Sequence, residues 1–133
     1  MNVPADLRYS TEHEWIRTEG DAATIGITDY AQDQLGDIVY LDLPAVGAKI
    51  AALEKMGEVE SVKAVSDLFM PVGGEVVEVN QAAADEPEVV NNEPYGAGWL
   101  IKVRLSDASE LEKLLTADAY DALIVREMEE NTD

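Results

Sequence analysis

The apolar residues of this chain recur at every second position in short runs, and glycine, proline or acidic turns interrupt each run almost at once. Period two sends alternate side chains to opposite faces of a strand, and turns this close leave no room for the crossover helices that parallel sheets need. The pattern predicts strands at 13–18 and 22–27 around a Glu19-Gly20-Asp21 turn, then at 38–43, 49–53, 54–60, 63–69 and 74–80, and from Trp99 to Leu105. Thr28 is placed to cap a short helix through Ala31 and Leu35, with Gly36 ending it in left-handed backbone. Residues 81–98, dense in Pro, Gly and Asn, read as an irregular surface connection. Ser106 or Asp107 caps a helix with Leu111, Leu114 and Leu115 on one face, and Thr116 or Asp118 starts another with Tyr120, Leu123 and Ile124 at helical spacing. The expected fold is mainly β, an antiparallel sandwich or flattened barrel with a short helix in the N-terminal half and C-terminal helices at about 106–129.

Length and composition narrow the function. At 133 residues, with 47% hydrophobic and 28% charged side chains, the chain is expected to form one domain spanning 1–133 around one core. Nine Lys and Arg oppose 28 Asp and Glu, and a net charge of −19 repels nucleic acid and anionic membranes. Cysteine is absent and His13 is the sole histidine, so thiolate chemistry is unavailable, and a Ser-His-Asp hydrolase would have only His13 and no G-x-S-x-G elbow. Without a basic n-region or a long apolar run, the chain is expected to be soluble and cytoplasmic, although a processed organellar protein would read the same. His13 is expected to have a structural role beside Trp15, Trp15 and Trp99 to pack, and Glu127, Glu129 and Glu130 to form a frayed, solvated tail.

Lys63 stands out among the cations. It is the only one between Lys55 and Lys102, and it falls in the tight reversal Glu60-Ser61-Val62-Lys63-Ala64, where short neighbours leave its ammonium clear. By itself this spacing also describes an ordinary solvated lysine paired with an acid.

Further residues carry a resemblance. Val59-Glu60-Ser61-Val62-Lys63-Ala64, then Ser66-Asp67 and Pro71-Val72-Gly73-Gly74-Glu75-Val76, resembles the lipoyl-lysine hairpin of the H-protein family of the glycine cleavage system. Tyr9-Ser10-Thr11-Glu12-His13-Glu14-Trp15, Ile25-Gly26-Ile27-Thr28-Asp29-Tyr30-Ala31-Gln32, Leu35-Gly36-Asp37-Ile38-Val39, Asp42-Leu43-Pro44, Val90-Asn91-Asn92-Glu93-Pro94-Tyr95-Gly96 and Gly98-Trp99-Leu100 follow in that family's order. Two departures are visible: Gly73 where the family usually has serine, and Gln34 where some members have histidine near the arm's cleft.

The resemblance implies the lipoyl/biotinyl hybrid-motif type of fold, with the lysine hairpin at about 54–80 and lipoate in amide linkage on Lys63. It implies a carrier rather than an enzyme. A glycine decarboxylase (P protein) would load an aminomethyl group, an aminomethyltransferase (T protein) would pass the carbon unit on, and a dihydrolipoamide dehydrogenase (L protein) would reoxidise the dithiol. A lipoate ligase or a lipoyl or octanoyl transferase would attach the arm. Glu14 and Asp67 match family positions associated with the arm's cleft, and Glu12 lies nearby, although alternation alone reads these acids as a solvated sheet face. The absence of protein thiols leaves a dihydrolipoyl dithiol without an internal exchange partner. So much like charge predicts a monomer meeting basic-rimmed partners in fast, salt-sensitive encounters.

Alternative readings share the lysine. A lipoate relay would pass its lipoyl group to other carriers, and a lipoyl or biotinyl domain of a 2-oxo acid dehydrogenase or carboxylase would lack the 9–31 and 91–99 blocks. An acidic module binding Ca²⁺ or a cationic protein is disfavoured by the lack of a D-x-[DN]-x-[DN]-G loop.

Overall fold

A computed structural model describes residues 2–130; residues 1 and 131–133, included in the expected domain, lie outside that range. Among the described residues nine strands form two antiparallel sheets, and these do not close into a barrel. The larger sheet has the order β1-β2-β3-β9-β8-β5, from Arg8–Tyr9 (β1), Glu14–Glu19 (β2), Ala22–Ile27 (β3), Ile101–Leu105 (β9), Gly74–Val79 (β8) and Lys49–Ile50 (β5). The smaller has the order β4-β6-β7, from Ile38–Asp42, Lys55–Ser61 and Val65–Phe69. Ile16, Ile25 and Val103 of the larger sheet meet Val59 and Leu68 of the smaller in one aliphatic core. Apolar burial at about 25 cal/mol per Å² is what holds two such faces together.

Alternation on β6 sets the orientation of the hairpin. Met56, Val59 and Ser61 are buried while Lys55 and Glu60 are exposed. A bulge between Lys55 and Gly57 shifts the register, so that Lys55 opposes Phe69 and Gly57 opposes Leu68. A Cβ at Gly57 would collide with the carbonyl oxygen of Asp42, so β4 can lie against β6 only where this side chain is missing.

The helices differ from expectation in two places. α1 is Asp29–Leu35, capped by Thr28, whose hydroxyl accepts the Ala31 N–H, and closed by Gly36 at φ 81°, as its sequence predicts. The 81–98 stretch, expected to be irregular, contains α2 (Gln81–Asp85) and α3 (Glu88–Asn92). Asn80 caps α2 by accepting the Ala83 N–H, and buried Ala83 and Val90 fasten both helices to the core. Asp107 caps a 3₁₀ helix at Ala108–Lys113, and α4 follows at Ala117–Glu130. The acidic end of α4 is ordered helix rather than a frayed tail: Glu127 Oε2 lies 3.0 Å from His13 Nε2. Tyr120 of α4 stacks on Tyr9 at a centroid separation of 4.6 Å and joins Trp15 and Tyr30 in a separate aromatic cluster. Among the described residues, no helix is long and apolar enough to cross a membrane.

Candidate functional site

Lys63 sits at the end of the β6–β7 hairpin, in the three-residue link Val62-Lys63-Ala64. Ser61, which is buried, fixes that link. Its N–H donates to the Ala64 carbonyl at 2.8 Å, and its hydroxyl accepts the N–H groups of Ala64 at 3.1 Å and Lys63 at 3.3 Å. A second fastening comes from outside the hairpin, where Val62 N–H donates to the Asp37 carbonyl at 3.0 Å. The backbone under Lys63 is therefore tied on both sides, while the side chain is exposed. No ion pair among the described residues engages it; Lys55, by contrast, reaches Glu58 at 2.6 Å and Asp67 at 3.2 Å.

The Lys63 stem lies over Gly36, where an added Cβ would stand 3.5 Å from its Cε. Asn91 of α3 clamps this segment. Its amide donates to the Gly36 carbonyl at 2.9 Å and to Gln32 Oε1 at 3.0 Å, and its oxygen accepts Ile38 N–H at 2.9 Å. Residues 36–38 therefore link α3 to the hairpin, a connection hidden from the sequence because Asn91 falls in a stretch that reads as loop.

Beside the hairpin lies a cleft of about 290 Å³ lined by Glu12, His13, Tyr30, Gln34, Ser66 and Glu127, among others. His13 is held with φ 71°, and its Nδ1 is 2.7 Å from the Tyr120 hydroxyl, which also meets Thr28 Oγ1 at 2.7 Å. Sequence reading gave His13 a structural role but missed Glu127 as a wall of this cleft.

The three carboxylates named from the sequence do not share one surface. Glu12 lines the cleft. Asp67 stands on the outer face of the smaller sheet, paired with Lys55. Glu14 is 1% exposed, so it does not belong to a solvated sheet face. Its Oε1 accepts the Ser10 hydroxyl at 2.6 Å and its Oε2 the Phe69 N–H at 3.4 Å. Burial pushes its carboxyl from the ordinary 4.5 up to about 7, against the two hydrogen bonds, which lower it.

The sequence profile described as "Glycine cleavage H-protein" matches residues 7–127. The chain belongs to that family. The H protein of Bacteroides thetaiotaomicron is 56% identical over 124 residues, covering 93% of this chain and 98% of that protein. That of Bacillus mycoides is 59% identical over 120 residues, covering 90% and 94%. The crystal structure of a glycine cleavage system H protein from Mycobacterium marinum superposes with a TM-score of 0.83 at 44% identity, covering 90% of this chain and 97% of that one. The family is the lipoyl-carrying shuttle of the glycine cleavage system.

In this H-protein family member, Ser61 holds the turn that carries Lys63. Ser61→Ala removes the acceptor for two amides, one side chain serving both. Stability should fall by about 1 kcal/mol, with hydrogen exchange accelerating at Lys63 and Ala64 before the rest of β6. Unchanged exchange at those two amides would show that Ser61 does not pin the turn.

Proposed function

We propose that Lys63 is the attachment point of lipoate in amide linkage, and that this chain is a monomeric carrier subunit without a catalytic centre of its own, the whole forming one carrier domain. The observation that carries this reading is the tied backbone beneath an exposed amine that has no ion-pair partner among the described residues, beside a cleft. An acylated arm needs a fixed origin, a free nitrogen and a surface to return to, and these residues suit all three. When bound, lipoate supplies the disulfide and dithiol that take up and release the aminomethyl unit and its electrons. Glycine decarboxylase, aminomethyltransferase and dihydrolipoamide dehydrogenase are its partners in this reading, and a lipoate ligase or transferase modifies Lys63. Incubation with lipoate, ATP and a lipoate ligase, followed by peptide mass mapping, should place one lipoyl group on the peptide containing Lys63. A lipoyl group on any other peptide would overturn the assignment.

Within this proposal the cleft residues hold the arm's end. Glu12 offers a solvated carboxylate at the rim, while Asp67, on the outer face with Lys55, and the buried Glu14 stand outside the cleft wall.

Glu14 also carries a pH prediction. Its folded pKa, about 7, lies above the ordinary 4.5, so the folded state keeps a proton that the unfolded chain releases. Stability is therefore undiminished below about 4.5 and falls as pH rises towards 7. Glu14→Gln has no proton to lose, so its stability relative to wild type should rise by about 3 kcal/mol across that window. A difference that stays constant from pH 4.5 to 7 in denaturant titrations would show that the buried carboxyl is not held neutral.

A further inference from the structure

The outer face of the β4–β6–β7 sheet has an order that neither the carrier role nor the cleft explains. Tyr40 opposes Glu60, and Glu60 opposes Val65, so the three side chains form one cross-strand row. Leu41, Val59 and Leu68 point the other way, into the core. The row stands in solvent immediately behind the Lys63 turn, with Tyr40 56% and Val65 59% exposed, and Val62 in the turn itself is 69% exposed. The next row back is Asp42, Glu58 and Asp67, again directly opposed. Like charges facing one another across strands destabilise a sheet, and Lys55 is the one cation bonded to this row among the described residues.

An exposed row in which Tyr40 and Val65 flank the Glu60 carboxylate, in front of a costly row of carboxylates, is poorly suited to solvent and well suited to a protein surface of matching character. We propose that this face is the docking surface for the enzyme that acylates Lys63, with Tyr40 and Val65 as apolar anchors and Asp42, Glu58 and Asp67 guiding a basic rim. The inference rests on Lys63 being the acylated residue. Three features select this occupant. An enzyme delivering an acyl group to the Lys63 amine must enclose the turn, and this face is continuous with the turn. The partner's apolar spot must border its active-site mouth, with Lys or Arg set one row back, about 7 Å away. Anionic partners such as nucleic acid or acidic membranes are repelled by the same carboxylates.

The test follows lipoylation by intact mass, using purified lipoate ligase, ATP and lipoate over a range of unmodified carrier concentrations. Tyr40→Thr and Val65→Thr, both strand-compatible and surface-exposed, should each raise KM for the carrier about tenfold while kcat stays within about twofold. Val77→Thr, on the larger sheet, should change neither. Asp42→Asn with Glu58→Gln should flatten the rise of KM with salt. Val65 is 59% exposed and threonine is a good strand residue, so the test survives even if Tyr40→Thr perturbs folding. Wild-type KM in both Tyr40→Thr and Val65→Thr, or a loss confined to kcat, would overturn the docking face. A wild-type carrier that gains no lipoyl group overturns the reading of Lys63 itself, and the docking face with it.

Discussion

Lys63→Arg is expected to accept no lipoyl group at all. A guanidinium stays protonated at any pH the fold survives, so it offers no free electron pair to an activated acyl group. The substitution keeps the positive charge and a long stem over Gly36, so the turn, the cleft and the outer face should be undisturbed, and the loss can be assigned to the amine. Lys55 is the nearest competitor along the hairpin. The Glu58 and Asp67 carboxylates hydrogen-bonded to it push its pKa up and reduce its free-amine fraction, whereas Lys63 has no such partner among the described residues. Intact mass after exposure to ligase, ATP and lipoate should show one lipoyl addition on wild type and none on the variant. An addition that persists in Lys63→Arg would move the attachment point elsewhere and remove the basis of the proposed function.

Gly57→Ala should be the most damaging single-methyl change in the smaller sheet. A Cβ there meets the Asp42 carbonyl oxygen, a backbone atom that cannot rotate away as a side chain would. Either β4 separates from β6 or the bulge at Lys55 to Gly57 is redrawn, and both displace buried Val59 and Met56. Overpacking at a site without slack costs about 3 kcal/mol, or roughly 10 °C in Tm for a domain of this size. β6 also carries Ser61, so the variant should lose order at the Lys63 turn. A thermal midpoint within about 2 °C of wild type would show that β4 has room to move.

Much of this architecture was legible in the chain. Alternation marked most of the strands, because one buried face per sheet imposes period two on the residues that form it. Thr28 and Gly36 marked α1 because capping is local chemistry. The two-residue β1 was missed, since so short an edge strand carries no period. α2 and α3 were read as loop because five-residue helices carry too little pattern, and they exist through buried Ala83 and Val90. At the site, isolation and the Ser61-Val62-Lys63-Ala64 reversal singled out the lysine. The contacts that hold it, from the Asp37 and Gly36 backbone and the Asn91 side chain, join residues far apart in sequence, and no local pattern announces which of them will meet. Glu127 was misjudged for the same reason: its partner His13 lies at the other end of the chain.

Because the amide of Val62 is bound to Asp37, the base of the side chain at 63 is a fixed pivot, and freedom begins only beyond its Cα. Whatever is joined to that nitrogen by about ten single bonds sweeps a volume on the order of 10⁴ Å³, a local concentration on the order of 0.1 M. Adhesion to the nearby wall can then be feeble and still keep the tip home for much of the time. An adhesion that feeble also yields to any visitor offering slightly more, so the anchorage lets a single molecule be both a safe berth and an easy departure.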